Sequence, residues 1–160
     1  MTSADVGLRP LTIDDLLVIA ECQRLMTEYG LRLDTGRGAS VADLFTEDGV
    51  YITPRAESRG RDQLRAFFSL RDDMDDRISH HVMTNPMITV YGPDLATSHS
   101  VAIEYRSDDG SEGALRSDTR PGVVGDYEDT FVRTEEGWRF KERRVLIDFQ
   151  RSGEQFLAKR

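Results

Sequence analysis

Apolar and polar positions change period once along the chain, which divides it into a helical half and a stranded half. After Thr12, the residues Leu16, Ile19, Ala20, Gln23, Met26, Gly30 and Leu33 recur at helical spacing. That spacing predicts one long helix with a single core-facing stripe. Thr12 supplies a cap, and Asp14 and Asp15 place negative charge in the first turn. Thr35-Gly36-Arg37-Gly38 breaks the helix and leaves Asp34 one step past its stripe. A short helix over 39–44, a turn over 45–49 and a short strand over 50–53 follow, the strand ending at Pro54. A second helix over 60–70 carries Leu64, Phe67 and Phe68 on its apolar side. After Asp76 the period becomes two, and 81–90, 96–106, 125–134 and 138–149 read as strands. The Gly-, Ser- and Asp-rich stretch 107–122 reads as a long hairpin loop, and the chain from Arg151 as a tail. Helices followed by antiparallel strands predict an α+β arrangement, with one curved sheet wrapped around the long N-terminal helix.

Composition narrows the function classes. With 160 residues and neither repeats nor low-complexity tracts, one domain spanning 1–160 is expected, with its core over about 10–149. A formal net charge of -8 argues against nucleic acid or an anionic membrane as partner, since both select basic surfaces. No apolar run approaches the roughly 20 residues of a membrane span. Residues 1–6 lack the basic and apolar regions of a signal peptide, so a cytoplasmic location is expected. The single cysteine, Cys22, excludes an internal disulfide and falls on an apolar helix, where a core role is expected. His80, His81 and His99 show no ligand-pair spacing, so no metal is expected. No phosphate loop, nucleophile elbow or paired-His motif is present, and no cofactor is expected.

Alternation along the strands sorts the polar candidates by face. His81, Met83 and Asn85 share one face, and His80, Val82 and Thr84 the other. His99 shares a face with Val101, Ile103 and Tyr105 and is expected inward, as pocket lining or core. Tyr127, Asp129 and Phe131 share a face, and Arg143 lies with Val145 and Ile147. Arg143 can bind a ligand or pair with Asp129 across the sheet. The pairs Asp72-Asp73 and Asp75-Asp76 read as solvated loop charges. Asp34 and His81 carry the most chemistry: a carboxylate bonded to one imidazole nitrogen fixes the tautomer and leaves the other nitrogen to move a proton near neutral pH. The plainer alternatives are a turn-forming aspartate and a hydrogen-bonded structural histidine.

The order of several short segments resembles the SnoaL-like group of the nuclear-transport-factor-like superfamily. They are Leu33-Asp34-Thr35-Gly36-Arg37, Ala42-Asp43-Leu44-Phe45-Thr46-Glu47-Asp48-Gly49-Val50-Tyr51 and Arg59-Gly60-Arg61. His81-Val82-Met83-Thr84-Asn85, Gly125-Asp126-Tyr127-Glu128-Asp129, Gly137-Trp138-Arg139-Phe140 and Arg143 complete the set. The resemblance implies a cone-shaped α+β barrel whose curved antiparallel sheet lines a central pocket. Relatives with a helix-end Asp and a strand His include scytalone dehydratase and the hexachlorocyclohexane dehydrochlorinase, both cofactor-free lyases. Matched residue by residue, His81 is the base, Asp34 its orienting group, and Arg143 an arginine of the dehydrochlorinase pocket. The resemblance therefore implies a cofactor-independent lyase or isomerase for a small, apolar, cyclic substrate. Asn85, His99, Tyr127 and Arg143 would bind or polarise a substrate oxygen, with Met83, Tyr51 and Phe131 beside them. Leu33 stands where scytalone dehydratase has a tyrosine, and that enzyme's water-holding tyrosines have no clear counterparts. The superfamily also implies two alternatives, a non-catalytic binder akin to the β subunits of ring-hydroxylating dioxygenases and a polyketide cyclase. A homodimer or homotrimer through the outer face of the sheet is implied as well.

Overall fold

A computed structural model describes residues 9–74, 76–108, 115 and 120–153. Residues 1–6, Asp75, most of the 107–122 loop and most of the C-terminal tail lie outside the described residues. The long helix α1 spans Ile13–Asp34 and is followed by a 3₁₀ turn, Gly38–Leu44. Then come β1 (Phe45–Ile52), β2 (Glu57–Arg59), α2 (Gly60–Ser69), β3 (Ile78–Val90), β4 (Leu95–Ser107), β5 (Val123–Thr134) and β6 (Gly137–Gln150). The strands form one curled, unclosed sheet in the order β2-β1-β6-β5-β4-β3. Neighbours run antiparallel except β1 and β6, which are parallel, so the sheet is mixed where an antiparallel one was expected.

Helix α1 starts on a reciprocal cap. The Asp15 backbone N–H donates to Thr12 Oγ1 at 3.1 Å, and the Thr12 N–H donates to the Asp15 carboxylate at 2.7 Å. Its buried stripe runs through Val18, Cys22, Leu25, Met26, Tyr29, Gly30 and Leu33. Leu16, Ala20 and Gln23, expected on that stripe, are exposed. The correction has a simple cause. Helix α1 packs most extensively against β3, where Gly30 and Asp34 meet His81, and that contact sets which side of the helix is buried.

Three strands depart from strict alternation, and each departure moves a side chain. Strand β1 begins at Phe45, where a turn was expected; it pairs as Phe45 with Phe140 and then Val50 with Glu142, so 46–49 bulge out. Strand β3 begins at Ile78 rather than His81 and breaks its register between Thr84 and Met87, where Asn85 takes φ 52°. Ser79 is buried before this break, and Ile88 and Val90 after it, so the inward phase changes by one residue. Strand β6 buries Trp138 and Phe140, then Arg143 and Val145, across a register shift against β5 between Thr130 and Phe131. Such bulges bend a strand and raise its twist, which suits a sheet that curls over one helix.

The core lies between α1 and the concave face. Phe45, Phe68, Phe131 and Phe140 are completely buried and stack with centroid spacings from 5.1 Å to 6.3 Å. Each buried ring contributes about 1.5–3 kcal/mol by leaving water. Gly30 is where α1 rests on β3: a Cβ there would lie 3.0 Å from Met83 Cε and 3.3 Å from His81 Cβ. Among the described residues, no helix is long and apolar enough to cross a membrane.

Candidate active site

Asp34 ends α1 and His81 lies on β3, and the fold joins them across 47 residues of sequence. His81 Nδ1 lies 2.6 Å from Asp34 Oδ1, and the His81 backbone N–H donates to Oδ2 at 2.8 Å. Ser79 Oγ donates to Oδ1 at 2.9 Å. An acceptor-only carboxylate at Nδ1 assigns the proton to that nitrogen, which leaves Nε2 with a lone pair. Burial pushes the Asp34 pKa up, but the hydrogen bond and charge of His81, the His81 backbone N–H and the Ser79 hydroxyl outweigh it. The carboxyl group is thereby held below its ordinary range and stays ionised beside the imidazole.

His81, Ser79 and Leu33 line a pocket together with Tyr29, Tyr51, Tyr127, Arg71, Arg77 and Glu104. Apolar wall comes from Ala102, Val123, Val145 and Leu146. The Tyr29 ring stands edge-on to the His81 ring, with centroids 6.4 Å apart and planes 87° apart. The Tyr29 hydroxyl donates to the Tyr51 hydroxyl at 3.3 Å, and the Tyr127 ring packs edge-on against Tyr29 at 6.1 Å. Burial raises the pKa of all three phenols, so they stand in the pocket as neutral hydroxyls. Glu104 is the register partner of His81 on β4 and shares its inward face.

Other expected site residues fall elsewhere. Arg143 is completely buried and its guanidinium grips Asp129 with two bonds, Nε to Oδ1 at 2.7 Å and Nη2 to Oδ2 at 2.8 Å. Its Cζ lies 4.1 Å from the Tyr29 ring centroid, 4.3 Å from Phe140 and 4.6 Å from Tyr127. These rings roof the cation, so Arg143 belongs to the core instead of the pocket lining. Phe131 stacks on Phe140 in that core. Met83 packs against the core at Gly30. Asn85 is exposed at the β3 bulge. His99 faces outward, because the inward residues of β4 are Ala96, Ser98, Ser100 and Ala102; it lies 3.4 Å from Asp126 on the outer surface. His80 is exposed as expected.

Sequence reasoning missed Tyr29, Ser79, Arg71, Arg77 and Glu104. Ser79 stands two residues before His81, so extending the strand by three residues would have placed it on the same face. Tyr29 belongs to the corrected helical stripe. Glu104 was masked by the inverted reading of β4, and the arginines come from a turn with no periodic signal. Among the described residues, no three His, Cys, Asp or Glu side chains gather as a metal site.

Comparison with known proteins places the fold and the family. An Asp-to-Asn variant of Rv3472 from Mycobacterium tuberculosis, a protein of unknown function, superposes with a TM-score of 0.72 at 26% identity, covering 84% of this chain and 74% of that one. A scytalone dehydratase-like protein from Novosphingobium aromaticivorans gives 0.74 at 23% identity, over 91% and 94% of the two chains. LinA gives 0.69 at 15% identity, over 90% and 96%. No curated protein sequence matches. The family model for the SnoaL-like domain matches residues 14–144, and the chain belongs to that family.

Proposed function

We propose that the protein is a cofactor-independent lyase or isomerase in which His81 removes a proton from carbon. Support comes first from one contact: the Asp34 carboxylate 2.6 Å from His81 Nδ1, at a pocket that His81 itself lines. In this reading Nε2 takes a proton from a carbon next to a carbonyl or opposite a leaving group. The C–H electron pair forms a C=C bond, either as the carbonyl π pair moves to its oxygen, with the proton then returned from Nε2 to another carbon in an isomerase, or as the leaving group departs with its own pair in a lyase. Asp34 acts as a positioning residue that holds the ring and balances the imidazolium. Its three donors fix its own orientation in turn. The Tyr29–Tyr51 hydroxyl pair and Tyr127 supply neutral donors for an oxygen on which charge develops. A small cyclic substrate matches the mixture of aromatic, aliphatic and hydroxyl wall. The likeness to a scytalone dehydratase-like protein and to LinA is consistent with this chemistry.

The test is deuterium uptake from heavy water into a panel of cyclic ketones, together with halide release from cyclic halides, followed by NMR. Wild-type protein exchanges or eliminates at least one member, whereas His81→Ala and Asp34→Asn lose that activity and keep the wild-type circular dichroism. Full activity in either variant removes the dyad from the mechanism.

A further inference from the structure

One wall of the pocket is built from buried arginine. Arg71 and Arg77 both line it, Arg71 at 5% exposure and the Arg77 side chain at 7%. Arg106, its side chain 2% exposed, bears on the same region: Asp108 feels the charges of Arg77, Arg106 and Arg71 together. In a chain of net charge -8, this pocket is lined by two buried guanidiniums and one carboxylate, Glu104, with which Arg106 pairs at 3.4 Å.

Arg71 is the informative member. Its Nη1 donates to the Met74 carbonyl and its Nη2 to the Arg77 carbonyl, each at 3.1 Å, while Nε is buried with no acceptor among the described residues. Among the described residues it forms no ion pair. Tying a turn through two carbonyls requires donors but not a charge, and a buried cation held by no carboxylate at ion-pair distance is costly. Burial first, and then the neighbouring Arg77, push the Arg71 pKa down, and the opposing charges of Asp34, Asp108 and Asp72 do not outweigh them. Arg77 demonstrates the geometry this wall offers. Its Nε and Nη2 donate to the two carboxylate oxygens of Asp108 at 2.6 Å and 2.8 Å. That is the two-pronged bond a guanidinium makes with a planar carboxylate.

We propose that the Arg71–Arg77 wall is an anion subsite, and that the substrate is a small cyclic acid whose carboxylate seats there while its reacting C–H faces His81. The inference rests on the dyad reading and narrows it, replacing an apolar substrate by one with an apolar ring and one negative group.

Benzoate and its neutral isostere benzamide are titrated into the full chain at pH 7 and low salt. Binding is read by calorimetry and by the His81 ring signals in NMR. Benzoate is expected to bind at least tenfold tighter than benzamide and to shift the His81 signals. Arg71→Met and Arg77→Gln are each expected to reduce that preference to threefold or less. Should Arg71→Met fail to fold, Arg77→Gln and the charge-keeping Arg71→Lys, expected to retain the preference, decide the matter. Equal binding of the two probes, binding of neither, an unmoved His81 signal or a preference unchanged in the arginine variants overturns the subsite. His81→Ala separates the two ideas, because it is expected to keep benzoate binding while losing turnover. Retained turnover in His81→Ala alongside a benzoate preference overturns the dyad and leaves the subsite standing.

Discussion

Asp34 with His81 and Asp129 with Arg143 are two of the aspartate–base pairs that join distant elements, and they differ in their access to a pocket. Asp34 and His81 meet where the side chains keep 14% and 12% of their surface, beside a pocket. Asp129 and Arg143 meet with none, sealed under Tyr29, Tyr127 and Phe140. The first pair holds an imidazole with one ring nitrogen left free of the carboxylate. The second holds a guanidinium that stays charged: burial alone would lower the Arg143 pKa, but the Asp129 charge and hydrogen bonds raise it. A charged pair in a fold is therefore not a site by its chemistry alone. Access to a pocket and a free ring nitrogen mark one as a candidate for reaction, whereas burial and fixed charge mark the other as architecture.

Variants that exchange these properties test the contrast. His81→Ala should lower proton transfer by a factor of about 10²–10⁴, the usual contribution of a placed general base, with little change in melting temperature. Arg143→Met should do the reverse, costing about 3–5 kcal/mol in denaturant unfolding because Asp129 is left buried and unpaired. Replacing both partners, as Arg143→Met with Asp129→Leu, should recover most of that loss, since a well-packed apolar pair of similar volume substitutes for a buried ion pair. If the double variant remains as unstable as the single one, the pair contributes more than its mutual charge. Acid provides a gentler probe. The Asp34 pKa is held below its unfolded value, so its contribution is fully present above about pH 4 and fades as pH falls through the folded value. Asp34→Asn should accordingly flatten the loss of stability as pH falls below about 4 in pH-dependent unfolding. The smallest effect is expected far from both pairs. Thr12→Ala removes the hydroxyl that accepts the Asp15 N–H and should cost about 1 kcal/mol without touching activity.

Much of this architecture was legible because it depends on local rules. The cap at Thr12 and the helix end at Asp34 each follow from residue types at fixed offsets. Asp34 and His81 were legible as candidates because few other side chains combine such chemistry with such positions. Failures occurred where a bulge or a tertiary contact reset the phase. Alternation carried through Asn85 placed it inward, and the register break beside it leaves it exposed. On β4 either face could have been the inner one by periodicity, since Val101, Ile103 and Tyr105 form as apolar a row as the residues that are buried. Their outward position is a property of the assembled sheet, in which α1 covers the other face; Tyr105 is exposed, and Val101 and Ile103 are half-buried. Arg143 could not be assigned from its own strand, because its role is set by Tyr29 on the helix and Asp129 on β5.

Gly30 gives the site a spacer that neither donates nor accepts a proton. Because a Cβ there would press on His81 Cβ at 3.3 Å and Met83 Cε at 3.0 Å, its missing side chain sets how closely the helix approaches the strand. Asp34 sits one turn further along that helix, so the gap at Gly30 sets the length of the contact to Nδ1. A graded series at this one position, Ala and then Ser, would act as a wedge of increasing thickness. It would make the separation of base and carboxylate an adjustable variable, with every reacting atom left in place.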